Sequence, residues 1–227
     1  MNSGSFYQFH NDGITFSSKE ACAIKTIYAP LCGSDASGLK SAISPFLSGD
    51  IKLDKYHYLT KPASREDLRY PLREFFVFIK GKGVFSLAQE SSPNSAVMTM
   101  GPLWHSLERT HKKAGLLLSA VHVVPSSNET LELAKITIKN ISHKKISFTP
   151  TAAIPIFARS LANKHDHEHV TSLLNRIEQS KDGVLVKPSM AFNEEGHKEV
   201  QKVYFVFGRQ EKGGSLTGTF PDRKSVV

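Results

Sequence analysis

The residues best equipped for chemistry lie between Arg159 and His197. The stretch runs Arg159-Ser160, then Asn163-Lys164-His165-Asp166-His167-Glu168-His169-Val170-Thr171-Ser172-Leu173-Leu174-Asn175-Arg176. It closes with Phe192-Asn193-Glu194-Glu195-Gly196-His197. Three chemistries are open to side chains of these types at this spacing. His165, His167 and His169 alternate and His197 follows downstream; on a strand the first three would share a face, and on a helix His165 and His169 would meet at i and i+4. Either arrangement with a carboxylate suits zinc or iron, although the HEXXH spacing is absent and no cysteine pair accompanies it. Asp166 or Glu168 with Glu194 or Glu195 offers the acid and base of glycoside chemistry. The competing structural reading is that Asp166 caps a helix while Glu194 and Glu195 decorate a turn closed by Gly196. Finally, Arg159, Asn163, Asp166, His169 and Arg176 could satisfy one another as a buried polar network, since a buried guanidinium needs an acidic or carbonyl partner.

The elements that must position these groups are mostly strands. Glu74 to Ile79 and Val84 to Leu87 flank Lys80-Gly81-Lys82-Gly83, which reads as a hairpin. Leu116 to Val124 reads as a buried strand ended by Pro125-Ser126-Ser127-Asn128. Leu131 to Ile141 alternates around Leu133, Ile136 and Ile138, and Asn140 to Lys145 turns into Ile146 to Thr149. Val184 to Val186 and Val203 to Phe207 complete the set. Short strands with Ser, Asn, Gly and Pro turns predict an antiparallel sandwich. One helix is predicted to interrupt it, because Val170, Leu173, Leu174 and Ile177 follow i, i+3, i+4, i+7. Asp166 and Glu168 complement its first turn, and Glu178 and Lys181 stand at its far end before Gly183. A second short helix is expected around Ser64 to Leu68, where Ser64-Arg65-Glu66-Asp67 caps a turn after Pro62.

At 227 residues the chain has the length of one large domain or two small ones, and an all-β domain of this size commonly stays single. With 40% hydrophobic residues it can build a core. The longest apolar runs, such as Gly115 to Val121, fall far short of the about 20 residues that span a bilayer. The first residues carry no basic and apolar leader pattern, so a cytoplasmic protein without membrane contact is expected. The net charge is +8, but Lys80 and Lys82, Lys112 and Lys113, and Lys144 and Lys145 sit at turns rather than in a stripe interleaved with aromatics. Nucleic acid is therefore not expected as a partner. Cys22 and Cys32, the two cysteines, are expected as buried thiols rather than a disulfide.

The charged stretch has a counterpart in a known family. Arg159-Ser160, Asn163, Asp166 to Arg176, Val186-Lys187-Pro188 and Phe192 to His197 resemble the N-terminal region of the large inverting sugar phosphorylases, the 1,2-β-oligoglucan phosphorylases and their cellobiose phosphorylase relatives. Tyr28 to Leu31, Ser44-Pro45, Gly49 to Lys52, Pro62 to Leu68, Arg73 to Val77 and Leu131 to Asn140 are similar to the same region, so the likeness runs from about Tyr28 to Phe220.

The resemblance implies a mainly β, antiparallel β-sandwich of the galactose-mutarotase-like supersandwich type with one or two short helices, spanning 1–227 as a single domain. In the family an (α/α)6 barrel carries the general acid and the phosphate site. Inorganic phosphate is the co-substrate, no metal or other cofactor is needed, and many relatives are dimers that the N-terminal domain helps to form. The chain ends at Val227 without such a barrel. It is thus expected to be the N-terminal part of a larger enzyme, whether by truncation or as a separate subunit, and inactive alone. The expected role is scaffold, homodimer contacts and substrate-facing loops for a β-linked glucooligosaccharide, with the barrel supplied in cis or in trans. Arg159, Asn163, Asp166, His167, His169, Arg176 and His197 are the carbohydrate or interface candidates, and none is expected to be catalytic. Trp104 and Tyr204 offer stacking platforms or core aromatics. The alternative is a metal-binding sandwich using His165, His167, His169 and His197.

Overall fold

The computed structural model describes residues 7–20, 27–64, 66–88, 96–166, 173–189, 191–193, 196–198, 201–214 and 216–221. Among the described residues the protein is mainly β, with 43% in strands and 4% helical. Two compact units divide the chain: residues 1–51 with 63–153, and residues 52–62 with 154–227.

The first unit contains β1 (Gln8–Phe9), β2 (Phe16–Ser18), β3 (Ala29–Cys32) and β4 (Lys40–Ile43), with β5 (Ile51–Lys52) at its boundary. It continues with β6 (Glu74–Ile79), β7 (Gly83–Ser86), β8 (Ala96–Gly101), β9 (Trp104–His111), β10 (Leu116–Val123), β11 (Leu133–Asn140) and β12 (Thr149–Ala153). Its largest sheet has the order β1-β2-β8-β9-β10-β11; the smaller ones are β12-β6-β7 and β3-β4-β5. The strands pair antiparallel in β1–β2, β2–β8, β8–β9, β9–β10, β10–β11, β12–β6, β6–β7 and β3–β4. The expected hairpin is β6–β7, where Gly81 and Gly83 take φ of 78° and 100°, conformations that residues with a Cβ rarely adopt.

Period-2 alternation sends one face of β8, β9 and β10 inward. In register across β9 and β10, the buried pairs are His105 with His122, Leu107 with Ala120, Arg109 with Leu118 and His111 with Leu116. From β8, Ala96, Met98 and Met100 join them. The smaller sheets lie against this face. β3 packs on β9, Arg109 Nε donates to the Leu87 carbonyl at 2.7 Å, and the His111 Nε2 and Ser86 carbonyl pair at 2.9 Å. Leu31, Ile43, Leu47, Val77, Ile79 and Leu87 fill the space between. Truncating Leu107 there to Ala should cost about 2–5 kcal/mol.

The second unit holds β13 (Asn175–Ser180), β14 (Gly183–Pro188), β15 (Ala191–Asn193), β16 (Gly196–Lys198) and β17 (Tyr204–Phe207). β13-β14-β17 form one sheet and β15-β16 another, antiparallel in β13–β14, β14–β17 and β15–β16. Its core joins Ala158, Val186 and Tyr204 with Leu59, Ile156, Ile177 and Val184.

Three expectations about elements change. The predicted helix through Ile177 to Lys181 is instead β13 and the turn after it; Leu173 and Leu174 are helical, and 167–172 lie outside the described residues. Lys181-Asp182 makes a two-residue turn that pairs Ser180 with Gly183, and cross-strand pairing with β14 overrides the helical spacing. The expected strand at Ile146 starts at Thr149. The turn at Ser64 is realised as a 3-10 helix, Glu66–Arg69, capped by Asp67 Oδ2, which accepts from Ser64 N at 2.8 Å and Ser64 Oγ at 2.6 Å. Cys32 is exposed on β3 rather than buried, and Cys22 lies outside the described residues.

Candidate functional site

The start of the charged stretch is built by two segments of the second unit. Tyr58 N donates to the Arg159 carbonyl at 3.0 Å, Leu161 N to the Lys55 carbonyl at 2.8 Å, and Phe157 N to the Leu59 carbonyl at 2.6 Å. Between these anchors Ala158 is buried at φ 54°. A non-glycine residue in that region costs on the order of 1–3 kcal/mol and persists only where its surroundings enforce it. The forced turn aims Arg159 inward, so its side chain is 1% exposed.

A short 3-10 helix, Leu161–Asn163, then returns the chain toward the guanidinium. Ser160 Oγ donates to Asn163 Oδ1 at 2.7 Å, and Asn163 Nδ2 donates to Asp166 Oδ2 at 2.9 Å. The same Asp166 oxygen lies 3.5 Å from Arg159 Nη1, and the Asp166 side chain is 36% exposed. Burial pulls the Arg159 pKa down, and the Asp166 carboxylate opposes it. Arginine keeps its proton under these conditions, so Asp166 serves as its counter-ion.

Arg159, Asn163 and Asp166 thus come together. Arg176 does not join them: it is exposed on β13, in register with Lys187. His165 is exposed. His167, His169, Glu168, Glu194 and Glu195 lie outside the described residues, and His197 sits on β16 opposite Phe192 with its side chain outside the described set. Among the described residues no three His, Cys, Asp or Glu side chains gather as metal ligands. Tyr204 belongs to the core; burial, with Asp54 nearby, pushes its hydroxyl pKa up, and that hydroxyl has no partner among the described residues. Trp104 is half-buried against Gly101, where an added Cβ would meet the indole at 2.1 Å.

The sequence reading missed a second polar cluster, in the first unit. Glu132 accepts from Arg73 Nε at 2.7 Å and Nη2 at 2.9 Å, and from Ser41 Oγ at 2.5 Å. His122 Nδ1 approaches the same carboxylate at 3.2 Å. Arg73 Nη1 also donates to the Gly49 carbonyl at 2.9 Å. Desolvation opposes the charge on Glu132, but Arg73 and His122 together outweigh it and hold the carboxyl far below its usual range. His105, whose ring centre is 6.2 Å from that of His122, has no partner for either ring nitrogen among the described residues. Burial first, then His122 and Arg73, push its pKa down to about 3, so it is neutral. The one available signal was the alternation of His105, Leu107, Arg109 and His111. It was masked because three of those four inward positions are polar. With Arg73, His105 and His122 all buried, this cluster ties layers together and offers no opening to a substrate.

The first unit also carries a shallow apolar groove of about 380 Å³, walled by Ile14, Phe16, Tyr28, Met100, Pro102 and Leu103. Apolar walls supply contact area and little orientation. Compared with protein-family models and with curated proteins, the chain matches none.

Proposed function

We propose that this chain is a non-catalytic, carbohydrate-associated β module of a β-glucan phosphorylase, acting in the cytoplasm as scaffold and dimer contact for an (α/α)6 barrel in cis or in trans. Inorganic phosphate is the barrel's co-substrate, and a β-linked glucooligosaccharide is the ligand. The observation that supports this reading best is the Arg159–Asn163–Asp166 arrangement. The carboxylate of the family-like stretch is engaged as the counter-ion of a buried arginine beneath an enforced turn. A carboxylate so engaged is turned to a buried arginine and an amide rather than held out to a leaving oxygen, as a general acid must be. The mainly β architecture agrees with a module that presents loops to a partner barrel.

The experiment is phosphorolysis. Purified chain is incubated with phosphate and 1,2-β-glucooligosaccharides, and glucose 1-phosphate is measured. No release above the protein-free blank is expected; sustained turnover overturns the non-catalytic reading. In parallel, a β-glucan phosphorylase barrel stripped of its own N-terminal domain should co-elute with the chain, and failure to associate removes the barrel as partner.

A further inference from the structure

The lysines that are scattered along the sequence come together in the fold. Three turns of the first unit meet at one end of its layers: 80–83 between β6 and β7, 112–115 between β9 and β10, and 140–145 after β11. Lys82 Nζ donates to the Lys113 carbonyl at 3.5 Å, which joins the first turn to the second. Beside that contact the Phe85 and His111 rings pack edge to face, with centres 5.4 Å apart. Ile141 N donates to the Gly115 carbonyl at 2.9 Å, which joins the second turn to the third. Gly115 takes φ of 73°, and a Cβ there would fall 2.8 Å from Ser142 Cβ. Glycine at this position is what lets the two turns touch.

The end so formed is basic throughout. Lys80 and Lys82 are exposed on the first turn, and Lys112 and Lys113 on the second. Lys144 and Lys145 are exposed on the third, with Lys139 and His143 exposed beside them. Ala114 is buried, so the second turn shows its lysines to solvent. No Asp or Glu occurs in 75–89, 109–128 or 133–165, which hold the three turns and the strand ends beside them. The ion pairs among the described residues lie elsewhere. These seven lysines match all but one of the net charge of +8. Like charge crowded in this way repels itself, and a polyanion relieves the repulsion.

We propose that this end docks on the phosphate backbone of a nucleic-acid duplex without reading its sequence. Strands about 5 Å apart and layers about 10 Å apart give the three turns a span on the order of 15 Å. A duplex carries one negative charge per about 1.7 Å of axis, so about nine over that length. The turns hold no arginine to read base edges. The Asn140 amide is used within its own turn, accepting from Ser142 and donating to the Lys144 carbonyl. No aromatic ring stands at the tips for unpaired bases to stack on, so the paired backbone is the better match. A loop end that enters a bilayer carries apolar side chains at its tip. Here the exposed residues of 80–83, 112–115 and 142–145 are lysine, glycine and histidine. Phe78, Val84 and Ile141 are exposed on the strand ends behind those tips. The expectation against nucleic acid rested on the spacing of the lysines along the chain, whereas a polyanion meets their spacing in the fold. The inference stands apart from the phosphorylase-module reading, and its failure would leave that reading untouched.

The test is fluorescence-anisotropy titration of the full chain with a mixed-sequence duplex of about 20 base pairs at about 50 and about 200 mM salt. Wild-type binding should weaken on the order of a hundredfold between those salts. Lys112→Ala/Lys113→Ala/Lys144→Ala/Lys145→Ala should bind about tenfold more weakly or worse at the lower salt, with about half the salt slope and an unchanged thermal midpoint. Removing equal charge at exposed sites elsewhere, in Lys19→Ala/Lys40→Ala/Lys61→Ala/Lys181→Ala, should change affinity less than about threefold. Should the turn variant not fold, Lys112→Gln/Lys113→Gln supplies the measurement, with a loss of about fivefold expected. Wild-type affinity in the folded turn variant, or in the Gln pair when that is the variant measured, overturns the site. Equal losses in the two fourfold variants assign binding to net charge alone and overturn it too. Absence of duplex binding by wild type at the lower salt overturns the proposal. Binding to vesicles of phosphatidylserine and phosphatidylcholine, lost in the turn variant of a chain without duplex affinity, would overturn it in favour of a membrane contact.

Discussion

Two arginine–carboxylate clusters organise this protein, one in each unit, and they differ in almost every respect. Arg73 and Glu132 meet through two short bonds with side chains 3% and 7% exposed. Arg159 and Asp166 are 3.5 Å apart, with the arginine buried and the aspartate partly in solvent. The first pair comes from segments 59 residues apart in the chain and draws in Ser41 and His122. The second is local, within seven residues, and draws in Ser160 and Asn163. The lesson is that a conspicuous run of charged residues marked the weaker tie, while the stronger one was dispersed among ordinary strand sequence.

The sharpest way to break that contrast is to remove one carboxylate from each cluster. Glu132→Ala leaves Arg73 buried without its counter-ion and should cost about 3–5 kcal/mol, read as a fall in urea midpoint. A cost under about 1 kcal/mol would erase the distinction between the clusters.

Acid should probe the same cluster. The folded pKa of His105 is about 3 against 6.5 unfolded, so between those values the unfolded chain binds more protons. Its contribution is complete above pH 6.5 and is lost as pH falls toward 3, on the order of 5 kcal/mol in all. Glu132, held below its usual range, adds loss in the same direction below about pH 4.5. Chemical denaturation of His105→Phe against pH should therefore be flatter between pH 6.5 and 3 than that of wild type. An equally steep profile would remove His105 from the account.

In the second unit the expected losses are smaller. Arg159→Ala should cost about 2–3 kcal/mol through lost packing and loss of the Asp166 contact. Asp166→Asn should cost about 1 kcal/mol, because its carboxylate is partly solvated. Equal losses for Asp166→Asn and Glu132→Ala would show that exposure does not separate the two pairs.

Much of the strand content could be read from the sequence, because Phe75, Val77 and Ile79 or Leu116, Leu118 and Ala120 alternate as a buried face requires. β9 could not, since His105, Arg109 and His111 occupy inward positions and hide the period. The helix expected through Ile177 failed because Val170, Leu173, Leu174 and Ile177 match a helix period while Lys181-Asp182-Gly183 closes a hairpin. The polar network was legible as far as Arg159, Asn163 and Asp166, where partners are close in sequence. Arg73, Ser41, His122 and Glu132 were not, since only tertiary packing brings them together. On β17 the strand was visible, but Val203 to Phe207 are all apolar, so which face was buried was not. Tyr204 turned inward, leaving Phe205 and Phe207 outside.

The claim that Arg159 holds its own loop is tested most directly by amide hydrogen exchange in wild type and Arg159→Ala. The amides to follow are Leu161, Asn163 and Asp166, bonded to the carbonyls of Lys55, Ser160 and Asn163. Exchange there should rise about tenfold or more in the variant while Leu118 and Ala120 of β10 keep their wild-type rates. Unchanged protection at 161–166 in Arg159→Ala would contradict the account.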